Sequence, residues 1–135
     1  MDRVFLDANI LFSAALRPDV RVRRLWELHD VELLTSEYAV EEARRNLGDA
    51  ERVRTLAQVV RATTIVETHD IVVPLPAAAS CLPLDDRPIL LAAMTARATH
   101  LLTGNSNDFG PLLGKRIGGV MVLLPAEYLA RAARG

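Results

Sequence analysis

Near the amino terminus stands the stretch Val4-Phe5-Leu6-Asp7-Ala8-Asn9-Ile10-Leu11, a short apolar run that stops at a carboxylate and continues at once into a helix-compatible segment. Apolar runs of this length are typical of buried strands in parallel sheets. Ligands bind such sheets at the carboxyl ends of their strands. Asp7 is therefore predicted to face a crevice, although a helix cap or an Asx-turn is an equally ordinary role for an aspartate at this junction.

The rest of the chain repeats this alternation of strand and helix. Strands are predicted at residues 4–6, 31–34, 63–67, 100–103 and 120–124, with a further candidate at 71–73, and helices at 9–16, 19–30, 36–47, 49–62, 86–98 and 125–134. Strands that alternate with helices favour a parallel sheet covered on both faces. With no internal repeat or linker, residues 1–135 are expected to form one domain.

The composition limits the possible functions. Aromatic residues make up 4% of the chain, so the core must be aliphatic and an extended base-stacking surface is not expected. A net charge of -1 argues against a wholly basic nucleic-acid-binding surface. The single cysteine, Cys81, excludes an internal disulfide, and no apolar run reaches transmembrane length or resembles a signal peptide. These features predict a soluble, cytoplasmic protein.

Two adjacent glutamates lie on the predicted helix after the second strand. On a helical wheel of 100° per residue, Glu42 lies beside Ala39 at the rim of the apolar face. Glu41 falls on the opposite side, four residues before Arg45, and is expected to form an exposed ion pair with it. Glu42 is therefore the one that could reach a crevice, although a rim glutamate is often only a solvated edge residue.

Two further acidic positions follow later strands or open later helices. Asp85 and Asp86 precede an apolar helix with Pro88 in its first turn, where an aspartate usually caps the helix. Asp108 closes a polar segment just beyond the fourth predicted strand, where an ordinary turn is the alternative. Helix starts above a parallel sheet also face the ligand crevice, so both positions are candidates for a shared site.

Four acids, Asp7, Glu42, Asp86 and Asp108, are thus expected at one edge of the sheet. Carboxylates that converge repel one another unless a proton or a cation neutralises them. Oxygen ligands without accompanying Cys or His favour Mg²⁺ or Mn²⁺, and the three histidines, His29, His69 and His100, have no ligand-like spacing. Such an ion is well suited to phosphodiester hydrolysis. The residues themselves therefore suggest a metal-dependent phosphodiesterase.

The chain also resembles the PIN-domain ribonucleases, of the VapC-like kind found as toxins in toxin–antitoxin pairs. The resemblance is carried by an ordered set of five stretches that covers almost the whole chain, at residues 5–11, 36–42, 86–89, 102–109 and 122–129. It implies a three-layer α/β/α sandwich with a central parallel sheet of four to five strands. It also implies an endoribonuclease that uses Mg²⁺ or Mn²⁺, a homodimer, and an antitoxin partner whose tail enters the acidic groove.

The resemblance assigns roles to individual residues. Asp7 and Asp86 would be the principal metal ligands, Glu42 would complete an acidic triad, and Asp108 would be the fourth acid. Asn9 would orient Asp7 or the substrate phosphate. Asn105 departs from the family pattern, because many relatives have an aspartate at that position, and this puts a second metal ion in doubt.

Two other functions stay open. Asn105 favours a non-catalytic PIN-like module that binds RNA or a protein partner through the same groove. A phosphotransfer enzyme with an aspartyl nucleophile would need a second nearby acid, but the chain has Asp7-Ala8-Asn9 there. For RNA binding, Arg23, Arg24, Arg44 and Arg45 could supply a basic rim, or could simply lie on solvated helix faces.

Overall fold

The computed structural model describes residues 1–17, 20–68 and 73–134. The predicted helix start at Asp19, His69 and most of the candidate segment at 71–73 lie outside the described residues. The strands are β1 (Asp2–Leu6), β2 (Val31–Ser36), β3 (Thr64–Val66), β4 (His100–Leu102), β5 (Arg116–Ile117) and β6 (Val120–Leu123). The α-helices are α1 (Ala8–Leu16), α2 (Glu37–Asn46), α3 (Ala50–Arg61), α4 (Arg87–Thr95), α5 (Ser106–Phe109) and α6 (Pro125–Arg134). Short 3₁₀ helices span Arg21–Glu27, Ala77–Ala79, Leu84–Asp86 and Gly110–Leu112.

The described strands form one sheet in the order β3-β2-β1-β4-β6-β5. All neighbouring strands pair in parallel except β5, which pairs antiparallel with β6. Helices cover the sheet, with α1 packed against α2 and α3, and α4 against β2 and β4. The predicted three-layer α/β fold is therefore confirmed; of the four to five parallel strands expected, the described residues form five, and a sixth strand, β5, is added at the edge.

The strand order places a topological switch point between β1 and β4. From β1 the chain proceeds outward to β2 and β3 on one side, and the later strands β4 and β6 lie on the other. Connections that diverge from two neighbouring strands leave a crevice beyond their carboxyl ends, where α/β sheets bind ligands. Asp7 follows β1 and Thr103 follows β4 at this crevice, and the Asp7 N–H donates to the Leu102 carbonyl at 3.1 Å.

The core between sheet and helices is mainly aliphatic, as predicted. Its fully buried large side chains include Leu6, Leu34, Leu101 and Leu102 from the strands, together with the rings of Phe5 and Phe109. This packing makes β1 and β4 rigid supports for the residues at their ends. Among the described residues, none of the helices combines the length and the apolar character needed to cross a membrane.

One predicted element has a different conformation in the structure, and one strand was not predicted. The segment predicted as a helix over 19–30 is a 3₁₀ helix at Arg21–Glu27, in which Val22 and Leu25 are buried, whereas His29 is exposed. Apolar spacing of three residues fits a 3₁₀ helix as well as one face of a short α-helix. Strand β5 was not predicted because it has only two residues, and its turn depends on Gly118 and Gly119 at φ values of 57° and 86°.

Candidate active site

Asp7 is held at the end of β1 by three hydrogen bonds. Its Oδ1 accepts from the Ala8 N–H at 2.6 Å, and its Oδ2 accepts from the Thr103 hydroxyl at 2.8 Å and from the Asn9 amide at 3.2 Å. The residue is only 3% exposed, and burial raises the pKa of its carboxyl, an effect opposed by the bonds from Thr103, Ala8 and Asn9. Asp7 therefore starts helix α1, as the capping interpretation proposed, and also contributes to the crevice.

Asn9 and Gly104 join the two sides of the switch point. The Asn9 Oδ1 accepts from the Gly104 N–H at 2.7 Å. The Asn9 Nδ2 donates to the Asp7 Oδ2 and, at 3.4 Å, to the Thr103 hydroxyl. A Cβ atom at position 104 would lie 3.3 Å from the Asn9 Oδ1, so glycine permits this approach. The predicted position of Asn9 beside Asp7 agrees with this geometry.

A cavity of about 400 Å³ opens over these residues. Its polar lining comes from three carboxylates and three amides, those of Asp7, Glu42, Asp86, Asn9, Asn46 and Asn105. We call it the acidic pocket. Three of the four predicted acids thus line a single cavity, although they come from β1, α2 and the start of α4.

Asp86 reaches the pocket because its side chain is not used as a helix cap. It is the last residue of the 3₁₀ turn Leu84–Asp86 and immediately precedes α4, yet it makes no side-chain capping bond. Its backbone is already helical, with φ of -93° and ψ of -16°, whereas a side-chain cap requires an extended backbone. The capping role predicted for Asp86 is therefore wrong, and its carboxylate is available to a ligand.

Asp108 lies against Asp86. The two side chains share a hydrogen bond, and the Asp108 Oδ2 also accepts from the Asn105 Nδ2 at 2.9 Å. Burial raises the pKa of Asp86 to about 7, with further contributions from the bond to Asp108 and from the charges of Asp108, Asp7 and Glu42. Two neighbouring carboxylates hold one proton when no cation is near. The fourth predicted acid is therefore coupled to the acidic pocket through Asp86.

The acidic pocket is suited to an ion that retains water ligands. In the part of the chain that the structure describes, no three His, Cys, Asp or Glu side chains are grouped closely enough to enclose a metal ion. Mg²⁺ seldom needs such a cage, since it is usually held by one or two carboxylates and keeps several waters. The carboxylate and amide oxygens of the lining and the raised pKa of Asp86 fit this mode of binding.

Sequence reasoning missed Thr103 and Asn46. Thr103 is fully buried, donates to Asp7 and accepts from the Asn105 N–H at 3.0 Å, so one hydroxyl connects two positions of the site. A hydroxyl residue directly after a buried strand at the switch point was the available signal. Asn46 lies one helical turn after Glu42 and donates to its carbonyl at 2.9 Å, and this i+4 spacing could have identified it.

Several of the remaining charged candidates have partners outside the acidic pocket. Glu41 is exposed and pairs with Arg44 rather than with the predicted Arg45. Arg23 donates to the Ala14 carbonyl at 2.6 Å, so at least two of the four rim arginines have structural partners. His100 packs against the Tyr128 ring at the amino end of β4, away from the pocket.

The crowding of Asp86 predicts a pH-dependent stability. Because its pKa is about 7 when folded and near 3.8 when unfolded, the folded state binds more protons between these values. The contribution of Asp86 to the free energy of unfolding therefore falls as pH rises through this window. We expect the melting temperature of the metal-free protein to decrease from about pH 5 to about pH 8, and less so with Mg²⁺ present. A melting temperature that rises over this range would contradict the crowding.

Comparisons with known proteins agree with this architecture. A family model described as PIN domain matches residues 3–107. A search of curated protein sequences finds no match. Solved structures with a similar fold include VapBC2 from Rickettsia felis bound to a DNA fragment from their promoter (15% identity, 89% of this chain and 96% of that chain, TM-score 0.63). FitAcB from Neisseria gonorrhoeae is 20% identical over 91% of this chain and 98% of that chain, with a TM-score of 0.57. VapBC-1 from nontypeable Haemophilus influenzae is 14% identical over 92% of this chain and 98% of that chain, with a TM-score of 0.60. At these identities the likeness concerns the fold alone.

Proposed function

Because the chain belongs to the PIN-domain family, whose members are generally nucleases, we propose that it is a Mg²⁺- or Mn²⁺-dependent endoribonuclease. The observation that carries the proposal is the acidic pocket at the switch point, where Asp7, Glu42 and Asp86 meet and where burial and the neighbouring Asp108 raise the pKa of Asp86. Crowded acids that hold a proton in this way exchange it readily for a divalent cation.

Each residue of the site has a proposed role in this reaction. Asp7 and Asp86 would be the principal ligands, Glu42 would bind the ion directly or through water, and Asp108 would be the fourth acid. When bound, the ion would lower the pKa of a water and stabilise the charge of an in-line displacement at phosphorus. Thr103 and Asn9 would keep the Asp7 carboxylate oriented, since both donate to its Oδ2. Asn105 would hold Asp108 beside Asp86.

The proposal extends to the biological role. The similar structures named VapBC and FitAcB support a toxin of a toxin–antitoxin pair, with an antitoxin as protein partner. The homodimer and the cytoplasmic location stay predictions, as does a single domain over residues 1–135.

A non-catalytic module is the second candidate. It is favoured by Asn105, which is neutral. Both polar atoms of its amide bind Asp108: the oxygen accepts from the Asp108 N–H at 3.1 Å, and the nitrogen donates to the Asp108 carboxylate. In this alternative the acidic pocket would bind RNA or a partner without cleaving it.

Cleavage of RNA by the purified protein separates the two candidates. We expect a labelled single-stranded RNA to be cut in Mg²⁺ or Mn²⁺, and cutting to stop with a chelator and in the Asp7→Asn/Asp86→Asn variant. Equal cleavage by wild type and variant would exclude the catalytic assignment. RNA binding by the wild type without any cleavage would favour the non-catalytic module.

Placing an acid at position 105 is expected to raise the affinity for a metal ion. In Asn105→Asp, the new carboxylate can still accept from the Asp108 N–H, but it adds a charge to the pocket lining. One more nearby carboxylate is expected to strengthen Mn²⁺ binding by about tenfold, because ligand charge sets affinity for hard cations. The same variant should melt at a lower temperature without metal. Calorimetric titration checks the first effect, and unchanged affinity would place Asn105 outside the ion's reach.

A further inference from the structure

Tyr38 lies close to two residues of the acidic pocket, Glu42 and Asp86. It is in the first turn of α2, four residues before Glu42, so both side chains lie on the same side of that helix. Its hydroxyl donates to the Asp85 carbonyl at 2.7 Å, and Asp85 immediately precedes Asp86. The ring therefore extends from the helix that carries Glu42 to the turn that carries Asp86.

Tyr38 also differs from the other aromatic residues of the described chain. It is 38% exposed, whereas Phe5, Phe109 and Tyr128 are buried. The Trp26 indole donates to the Val59 carbonyl and its ring is partly buried in the core. Leu84, in the turn that accepts the Tyr38 hydroxyl, is 75% exposed and adds apolar surface beside the pocket. Low aromatic content excludes an extended stacking surface. A second ring is near the site, since Phe12 lines the acidic pocket, but Phe12 is partly buried against the core, whereas Tyr38 is exposed.

A nucleobase is the ligand chemistry that this ring fits best. The acidic pocket repels RNA phosphates in the absence of a cation, so affinity must come partly from neutral groups beside it. Unpaired bases stack on exposed aromatic side chains, and a ring already fixed by its hydroxyl loses little freedom on binding. Arg45 is in the last turn of the same helix, and its charge opposes the rise that burial causes in the pKa of Tyr38.

We propose that Tyr38 is a stacking platform for an unpaired nucleobase of the RNA substrate, next to the cleaved phosphate, and that it makes the enzyme prefer single-stranded RNA. The proposal rests on the ribonuclease function proposed above. It names a recognition element that acts on substrate binding and leaves the metal site unchanged.

Three substitutions at one position test the platform. Tyr38→Leu removes the π face, and it should raise the KM for a short fluorescent single-stranded RNA by about 5- to 100-fold with kcat within about threefold. Tyr38→Phe and Tyr38→Trp keep an aromatic face and should retain a KM within about threefold of wild type. Mn²⁺ affinity, measured by calorimetry, should be the same in all three.

Several outcomes would overturn the platform. One is a KM unchanged in Tyr38→Leu, as expected if the ring meets a protein partner instead. A second is a KM raised as much in Tyr38→Phe as in Tyr38→Leu. A third is a fall in Mn²⁺ affinity. Either result would mean that Tyr38 acts by holding the Asp86 turn in place through its hydroxyl.

Binding without cleavage separates this inference from the proposed function. In an Asp86→Asn background, fluorescence anisotropy should show weaker RNA binding for Tyr38→Leu than for Tyr38→Phe, and no preference of Tyr38→Leu for single-stranded RNA over its duplex. If the wild type binds RNA in this way but never cleaves it, the nuclease assignment fails while the platform stands. If both Tyr38 variants bind equally, the platform fails whatever the cleavage result.

Discussion

Replacing Asp86 with asparagine is expected to reduce RNA cleavage at least about a hundredfold while raising the melting temperature of the metal-free protein at about pH 8. Cleavage falls because the variant removes one of the two principal ligands proposed for the ion. Stability rises because the ionised Asp86 is partly buried beside Asp108, Asp7 and Glu42, which raises its pKa to about 7. A neutral amide relieves that repulsion, and opposite changes in activity and stability are typical of strained functional sites.

The matched control for Asp86→Asn is Glu41→Gln. Glu41 is also acidic, but its side chain is 51% exposed and pairs with Arg44 on the outer side of α2. Its replacement should leave cleavage within about twofold of wild type and the melting temperature unchanged. If Asp86→Asn kept wild-type cleavage, or if both variants lost it equally, Asp86 would have no special place in the reaction.

Replacing Thr103 with valine is expected to produce the largest loss of stability among changes that leave the four acids intact. The substitution keeps the shape but removes the hydroxyl that donates to the Asp7 Oδ2 and accepts from the Asn105 N–H. A buried carboxylate that loses a donor costs about 1–3 kcal/mol of unfolding free energy. The pKa of Asp7, already raised by burial, should rise further, because the Thr103 bond is the strongest of the contacts that lower it. The pH–activity profile should therefore move to higher pH.

Thr35→Val provides the control for this prediction. Thr35 is as completely buried as Thr103, and its hydroxyl donates to the Leu6 carbonyl at 3.0 Å, so the same atom is deleted without a carboxylate partner. Its loss should cost about 0.5–1.5 kcal/mol in chemical denaturation and leave the pH–activity profile unchanged. Equal shifts of the profile in the two variants would show that the Thr103 hydroxyl does not act through Asp7.

The sequence was sufficient to predict the parts of the site that follow from strand ends and helix faces. Asp7 was predicted because an apolar run stops at it, and Glu42 because the helical wheel separates it from Glu41. Both arguments depend on local periodicity, which the folded chain retains. The same periodicity predicted the parallel sheet and the helices of the three-layer fold.

Contacts between distant segments could not be predicted in this way. The bond between Thr103 and Asp7 joins residues far apart in sequence, and no local pattern specifies it. Asp86 was assigned a capping bond because the 3₁₀ turn before it, which makes its backbone helical, has no distinct sequence signal. Asn105 was noted only as a missing charge, whereas its amide holds Asp108 beside Asp86. The acids of the acidic pocket were therefore predictable, whereas Thr103, Asn46 and the hydrogen bonds that join these residues were not.

Calorimetric titration of Mn²⁺ into the metal-free protein tests the central claim most directly, because it asks whether the acidic pocket takes up a divalent cation. Wild type should bind at millimolar concentration or below, and near neutral pH the measured heat should vary with the buffer, since Asp86 must release its proton. The Asp7→Asn/Asp86→Asn variant should give no binding heat under the same conditions. Absence of binding by the wild type at millimolar Mn²⁺, or equal affinity in the two proteins, would contradict the account.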